Sequence, residues 1–257
     1  MDLGLDGRTA VVCASTSGLG RAVAEALAAE GARVVVSGRR RRVAEQIAAG
    51  LPRAIGVGVD LLAADGPRTL VTAAEAAFGP VDILVLNGPG PRPARVTEIE
   101  EGELAVATDS LVTVHHRLIT ATLPRMRARG WGRILAVGSG AVVAPIRDLA
   151  LSGIGRTALA AYLKMLATEV APDGVTANLL LPGRIDTDRV RRIDAAQAER
   201  TGQEVDRVRD ESLARIPANR YGRPQEFGAV AAFLCSDLAS YVTGTAVRCD
   251  GGQSSVL

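Results

Sequence analysis

The chain has 257 residues, of which 47% are hydrophobic and only 3% aromatic, and its formal net charge is +2. That length holds one large α/β domain or two small ones, and a core of Ala, Val, Leu and Ile suits a parallel sheet covered on both faces. So small a charge argues against nucleic acid or an anionic membrane as partner, and neither the scattered Cys13, Cys235 and Cys249 nor the adjacent His115 and His116 have metal-ligand spacing, so no metal is expected.

In chain order, β-branched runs predict strands at 9–13, 33–37, 54–59, 83–86, 133–137, 176–181 and 246–248. Ala-rich helical patterns lie between them at 19–30, 42–49, 67–78, 100–129, 153–170 and 225–235. Strand–helix alternation of this kind means repeated βαβ units, hence an α/β fold with a doubly wound parallel sheet of about seven strands and helices on both faces. No repeat or low-complexity linker divides it, so residues 1–257 are read as one domain. The segment 185–223 breaks the rhythm: it is long and charged, with two short helices expected at 187–193 and 204–214. An excursion of this length at the carboxyl edge of a sheet is expected to be a lid over a site. The first residues lack a basic region followed by an apolar one, and no apolar stretch is long enough to span a bilayer, so a cytoplasmic protein is the expectation.

The first strand runs into Ser15, Thr16, Ser17, Gly18, Leu19 and Gly20, and a helix opens at about Leu19. Small residues let the backbone approach a pyrophosphate, and the helix start offers unpaired N–H groups and a positive dipole end. At the end of the second strand, a carboxylate would bind the adenosine ribose and repel a 2′-phosphate. Ser37, Gly38, Arg39 and Arg40 stand there instead, and Arg39 can grip a phosphate through its planar fork. This favours NADP(H) over NAD(H).

These residues, with others that follow in order, resemble the short-chain dehydrogenase/reductase family over essentially the whole length. Ala14 to Gly20 is similar to its glycine-rich turn, Asp60 and Leu61 to the pair that meets the adenine ring, and Asn87 and Gly88 to the element after the fourth strand. Ser139 resembles the catalytic serine, and Pro182, Gly183, Ile185 and Thr187 the turn beside the nicotinamide. Residues 221–226 and 250–252 match its C-terminal signatures. The pattern is most similar to the 3-oxoacyl-thioester reductase branch. The resemblance implies a Rossmann-type fold, an oxidoreductase, and a homo-oligomer, tetramer or dimer.

The departures are as informative. Ala14 replaces the first glycine of the turn, which asks that position to avoid positive φ. Ser17 stands where NADP-preferring members often carry a basic residue, and Leu111 where an asparagine usually holds a relay water. Members place a Tyr-x-x-x-Lys pair about thirteen residues after the serine; here the count reaches Ser152 and Arg156. A serine hydroxyl is a far weaker acid than a phenol, and an arginine surrenders its proton poorly. Ser139, Ser152 and Arg156 can still hold a substrate oxygen and stabilise negative charge, with water delivering the proton. Tyr162 and Lys164 read as packing or interface residues, and Tyr221, beside the lid, as the better reserve acid, with Arg147 and Asp148 near enough to consider. Arg147, Arg156 and Arg184 are candidates to accept an anionic group. Besides an NADP(H)-dependent reductase or dehydrogenase, the sequence admits a non-redox enzyme on the same fold (a lyase, dehydratase or isomerase) and a catalytically silent nucleotide-binding subunit.

Overall fold

The computed structural model describes residues 1–256. Seven parallel strands form one sheet in the order β3-β2-β1-β4-β5-β6-β7. They are β1 (Thr9–Val12), β2 (Arg33–Gly38), β3 (Ala54–Gly58), β4 (Ile83–Leu86), β5 (Gly132–Val137), β6 (Val175–Pro182) and β7 (Ala246–Cys249). The helices are α1 (Gly18–Ala29), α2 (Arg41–Ala49), α3 (Gly66–Phe78), α4 (Glu101–Thr108), α5 (Val114–Ala128), α6 (Ala150–Val170), α7 (Asp188–Thr201), α8 (Val205–Leu213) and α9 (Pro224–Leu234). Each expected strand is present, with bounds within a residue or so.

Alternate residues of each central strand serve two cores. Val11, Leu84 and Leu86 face one side and pack with Leu70, Leu118 and Leu163 of α3, α5 and α6. Ala10, Val12, Ile83 and Val85 face the other and pack with Val23, Leu27 and Phe227 of α1 and α9. This two-sided burial is why the strands read as unbroken apolar runs. The strand order reverses between β1 and β4, so the carboxyl ends of these strands open a crevice where ligands bind in sheets of this kind.

Two helical expectations needed correction. The stretch 100–129 is not one helix: a wide π turn at Asp109–Thr113 separates α4 from α5. The turn carries the fully buried Leu111 against α6, where a methyl group on Gly155 would lie 2.7 Å from Leu111 Cδ1. The first helix of the 185–223 segment runs on to Thr201, well beyond the expected 193, and stops only at Gly202, whose φ of 66° ends it in a left-handed turn. No helix among the described residues is long and apolar enough to cross a membrane.

Candidate functional site

The β1–α1 turn is held from several sides. Ser15 Oγ donates to Val12 O at 2.7 Å and accepts from Ser37 N at 2.9 Å, while Ser15 N reaches Ser37 O at 2.8 Å. Thr16 lies against Gly38, and Leu19 packs into the core beneath. Gly18 takes φ +57°, open to glycine at no steric cost, and a side chain on Gly20 would strike Ala14 O at 2.6 Å and Asn87 Nδ2 at 2.7 Å. Ala14 overturns an expectation: it sits at φ 47°, in the left-handed region, despite its methyl group. That conformation costs roughly 1–2 kcal/mol. It is held by the Ser15–Ser37 interlock and by Asn87 Nδ2, which donates to Ala14 O at 3.3 Å.

The start of α1 is open for an anion. Ser17, its N-cap, is exposed and makes no capping hydrogen bond, and no acid lies in the first turn. The N–H groups there await partners. Thr187 caps α7 through its side-chain oxygen, which accepts from Val190 N at 3.4 Å, and its methyl faces Gly18 from the other side of the crevice. Ile185 is buried next to it, Pro182 pairs with Cys249 at the end of β7, and Gly183 lies against Asp250. Gly88 borders open space. Just past the end of β2, Arg39 is exposed and pairs with no carboxylate among the described residues. Asp60 accepts from Leu62 N at 3.1 Å, and Leu61 packs on the core. The cofactor residues expected from the sequence lie at or just beyond the carboxyl ends of β1, β2, β3, β4 and β6.

The other expected residues meet at the carboxyl end of β5. Ser139 is half-buried and its oxygen accepts from Ala141 N at 3.2 Å, which leaves its O–H free to donate. Ser152 and Arg156 share one face of α6, at 8% and 7% exposure. Gly153 of the same turn faces Ala141, and Gly155 faces Leu111. Arg156 donates to Val137 O, the last residue of β5, and makes no other hydrogen bond or ion pair among the described residues. Burial lowers its pKa to about 10, and the positive charge of Arg189 adds to the effect.

His115 lies below this group. Its Nδ1 donates to Leu111 O at 2.8 Å, the carbonyl on the wide turn. Burial holds its pKa down at about 4; the Leu111 carbonyl opposes this, Arg156 reinforces it and the Asn87 backbone opposes it. His116 is exposed and meets Tyr162 OH at 2.9 Å on the outer surface. Cys13 is sealed in the core, where burial pushes its thiol up to about 12 and makes it inert.

Three further candidates change role. Tyr221 is no reserve acid: it is 6% exposed and its hydroxyl donates to Asp194 Oδ2 at 3.0 Å. Arg184 is no free anion receptor, because it pairs with the other oxygen of Asp194. Asp148 bridges Arg95 and Arg200, each at 3.3 Å. Burial would raise its pKa, but the hydrogen bonds from Arg200 and Arg95 outweigh that and hold it low. One cleft residue escaped the sequence reading. Arg189, in the first turn of α7, lays its guanidinium on Gly90 in the loop after β4 and pairs with no carboxylate among the described residues. Nothing in its spacing distinguishes it from the arginines around it.

Residues 13–254 match the profile of a family described as enoyl-(acyl carrier protein) reductase. The chain belongs to the short-chain dehydrogenase/reductase family. It is 33% identical over 257 residues to the 3-oxoacyl-[acyl-carrier-protein] reductase FabG of Salmonella typhimurium, covering 99% of this chain and 100% of that one. It is 33% identical over 254 residues to the D-beta-hydroxybutyrate dehydrogenase of Cupriavidus necator, covering 96% and 98%. Among solved structures, the L-sorbose reductase of Gluconobacter frateurii, complexed with NADPH and L-sorbose, superposes with a TM-score of 0.94 at 31% identity over 100% of both chains. The chain is thus a member of a family of dehydrogenases and reductases. It has a single lysine, Lys164, with Ala160 four residues before it.

Proposed function

We propose that this short-chain dehydrogenase/reductase is an NADP(H)-dependent oxidoreductase that interconverts a carbonyl and a hydroxyl group on a small molecule, by a proton route without the usual tyrosine and lysine. The observation that carries it is the uncapped start of α1, facing Thr187 at the carboxyl edge of the sheet, the same edge at which Ser139 follows β5. The residues fit the coenzyme. Ser15, Thr16, Ser17, Gly18, Leu19 and Gly20 would hold its pyrophosphate, Arg39 the 2′-phosphate, and Asp60 and Leu61 the adenine. Asn87, Gly88, Pro182, Gly183, Ile185 and Thr187 would border the nicotinamide side. The sorbose reductase, crystallised with NADPH, supports this choice of coenzyme.

Bound there, NADP(H) would donate or accept hydride at the substrate carbon. The chain's own part is to hold the oxygen on which charge develops. Ser139 and Ser152 donate hydrogen bonds to it, and Arg156 supplies positive charge from behind. In the direction of reduction, a carbonyl gains hydride at carbon and a proton at oxygen. Ser152 and Arg156 stand in the places of the family's tyrosine and lysine, and neither yields a proton readily at neutral pH, so the proton comes from water. Positioning carries most of hydride transfer, so the reaction persists at a reduced rate. Leu111 stands where the family's relay asparagine would be, with its carbonyl taken by His115.

Segment 185–223 acts as the lid. Its two ends are pinned, with Asp186 N on Gly222 O at 2.8 Å and Gly222 N on Arg184 O at 2.9 Å, so α7 and α8 move as a flap on a fixed base. The exposed apolar residues Val106, Ile154 and Met165 on α4 and α6 suit a homo-oligomer, dimer or tetramer. The test is a fluorescence titration with NADPH and NADH, followed by deuterated NADPH and a panel of ketones. Deuterium in the alcohol product supports the proposal; tight NADPH binding without transfer to any ketone removes the redox step, and absence of nucleotide binding removes it entirely.

A further inference from the structure

We propose that Arg156 and Arg189 together form a receptor for a carboxylate on the substrate, so that the chain acts on oxo or hydroxy acids in preference to neutral compounds. This names the substrate class for the cleft described above and rests on that reading.

The first observation is an incomplete site. Arg156 is 7% exposed, spends one N–H on Val137 O, and meets no carboxylate among the described residues. An unpaired cation in the interior is unfavourable, whereas a paired and hydrogen-bonded one is tolerated. The remaining donors of its guanidinium form a planar fork that matches a carboxylate.

The second observation comes from the lid. Arg184, Arg191 and Arg200 all find aspartates, at Asp194, at Asp186 and Asp188, and at Asp148. Arg189 does not, although the same acids surround its helix. It crosses instead to Gly90, four residues past the end of β4, the strand that pairs with β5 where Arg156 binds Val137 O, and its charge acts on Arg156. Two like charges facing one space repel, and an anion between them turns that repulsion into attraction on both sides. The coenzyme's phosphates belong at the start of α1, so the anion at the end of β5, beside Ser139, is the substrate's own. One carboxylate would then tie the body of the protein, through Arg156, to the flap, through Arg189. Remote binding energy would close the lid over the reacting carbon.

Calorimetry tests this with 3-oxobutanoate, 4-oxopentanoate and their methyl esters, on free and on NADP⁺-loaded protein, with wild type and R189Q. Arg189 lies on an exposed helix turn, so R189Q retains the fold, which circular dichroism checks. The expected result is an acid-over-ester preference of at least about tenfold, lost in R189Q, with NADPH affinity unchanged within about twofold. Equal binding of acid and ester, no binding of either, or an undiminished preference in R189Q overturns the proposal. A fall in NADPH affinity with the preference intact also overturns it and assigns Arg189 to the coenzyme's phosphates. A wild-type protein that prefers acids yet binds no NADPH keeps the receptor and removes the oxidoreductase reading.

Discussion

The two ends of β5 each bury an arginine, and the two are treated in opposite ways. At the amino end Arg133 is 2% exposed and fully engaged. Its Nε donates to Ser236 O at 3.0 Å, its Nη1 to Gly132 O at 2.9 Å and Gly174 O at 3.2 Å, and it stacks on Trp131 at 4.3 Å with Asp237 within 3.7 Å. At the carboxyl end Arg156 has one carbonyl and no counter-charge among the described residues. Burial lowers the pKa of both, but only Arg133 has an acid, Asp237, pulling the other way. Arg133 is complete within the fold, and Arg156 has a single carbonyl partner and no counter-charge among the described residues. On the proposed reading, a structural and a binding arginine are told apart by their partners, since burial is nearly the same.

The largest expected effect follows from breaking the complete site. Arg133→Met strands three carbonyls and a Trp131 face, and we expect about 3–5 kcal/mol of lost stability in urea unfolding. The NADPH affinity of the molecules that remain folded should not change, because Arg133 is at the far end of its strand from the crevice. A loss below about 1 kcal/mol would mean that its network has no more weight than a surface pair.

The next effect sharpens the other end. His115 is neutral in the fold, with a pKa of about 4 against 6.5 for the free side chain. Above pH 6.5 neither state is protonated and stability is full. As pH falls through 6.5 the unfolded chain takes up a proton that the folded one refuses, so stability drops until about pH 4. The loss over that window is about 3 kcal/mol. His115→Gln should flatten this limb of the urea midpoint against pH; a limb that persists in the variant would place its origin in another group.

How much of this was visible beforehand depends on what each element answers to. Residues 83–86 are apolar on both faces, and the predicted strand has the observed bounds because both faces are buried. The crevice was legible because Gly18 and Gly20 have few structural uses at a strand–helix junction. The break at Asp109–Thr113 was not, because it depends on Leu111 meeting Gly155 from a different helix. Nor could the choice between Arg184 and Arg189 be read. Both lie in a segment rich in arginine and aspartate, and only the fold brings Asp194 to Arg184 and leaves Arg189 without an acid.

A smaller effect tests one of those corrections. Tyr221→Phe removes a buried hydrogen bond to Asp194, which keeps its contact with Arg184, so we expect about 1 kcal/mol of lost stability and an unchanged turnover rate. A large fall in kcat with stability intact would return Tyr221 to the chemistry.

The smallest expected change in stability belongs to the arginine with the most to do. Arg156→Met gives up one hydrogen bond to Val137 O, about 1 kcal/mol, and at the same time removes a buried charge without a partner, whose burial opposes folding. The loss of stability read from the urea midpoint should therefore not exceed about 1 kcal/mol. The acid-over-ester preference should disappear in the same variant. Together with Arg133→Met this makes a crossed pair: one substitution removes stability and spares binding, the other spares stability and removes binding. If Arg156→Met proved as destabilising as Arg133→Met, its guanidinium would be part of the scaffold, and the open place beside it would have no claim to be a receptor.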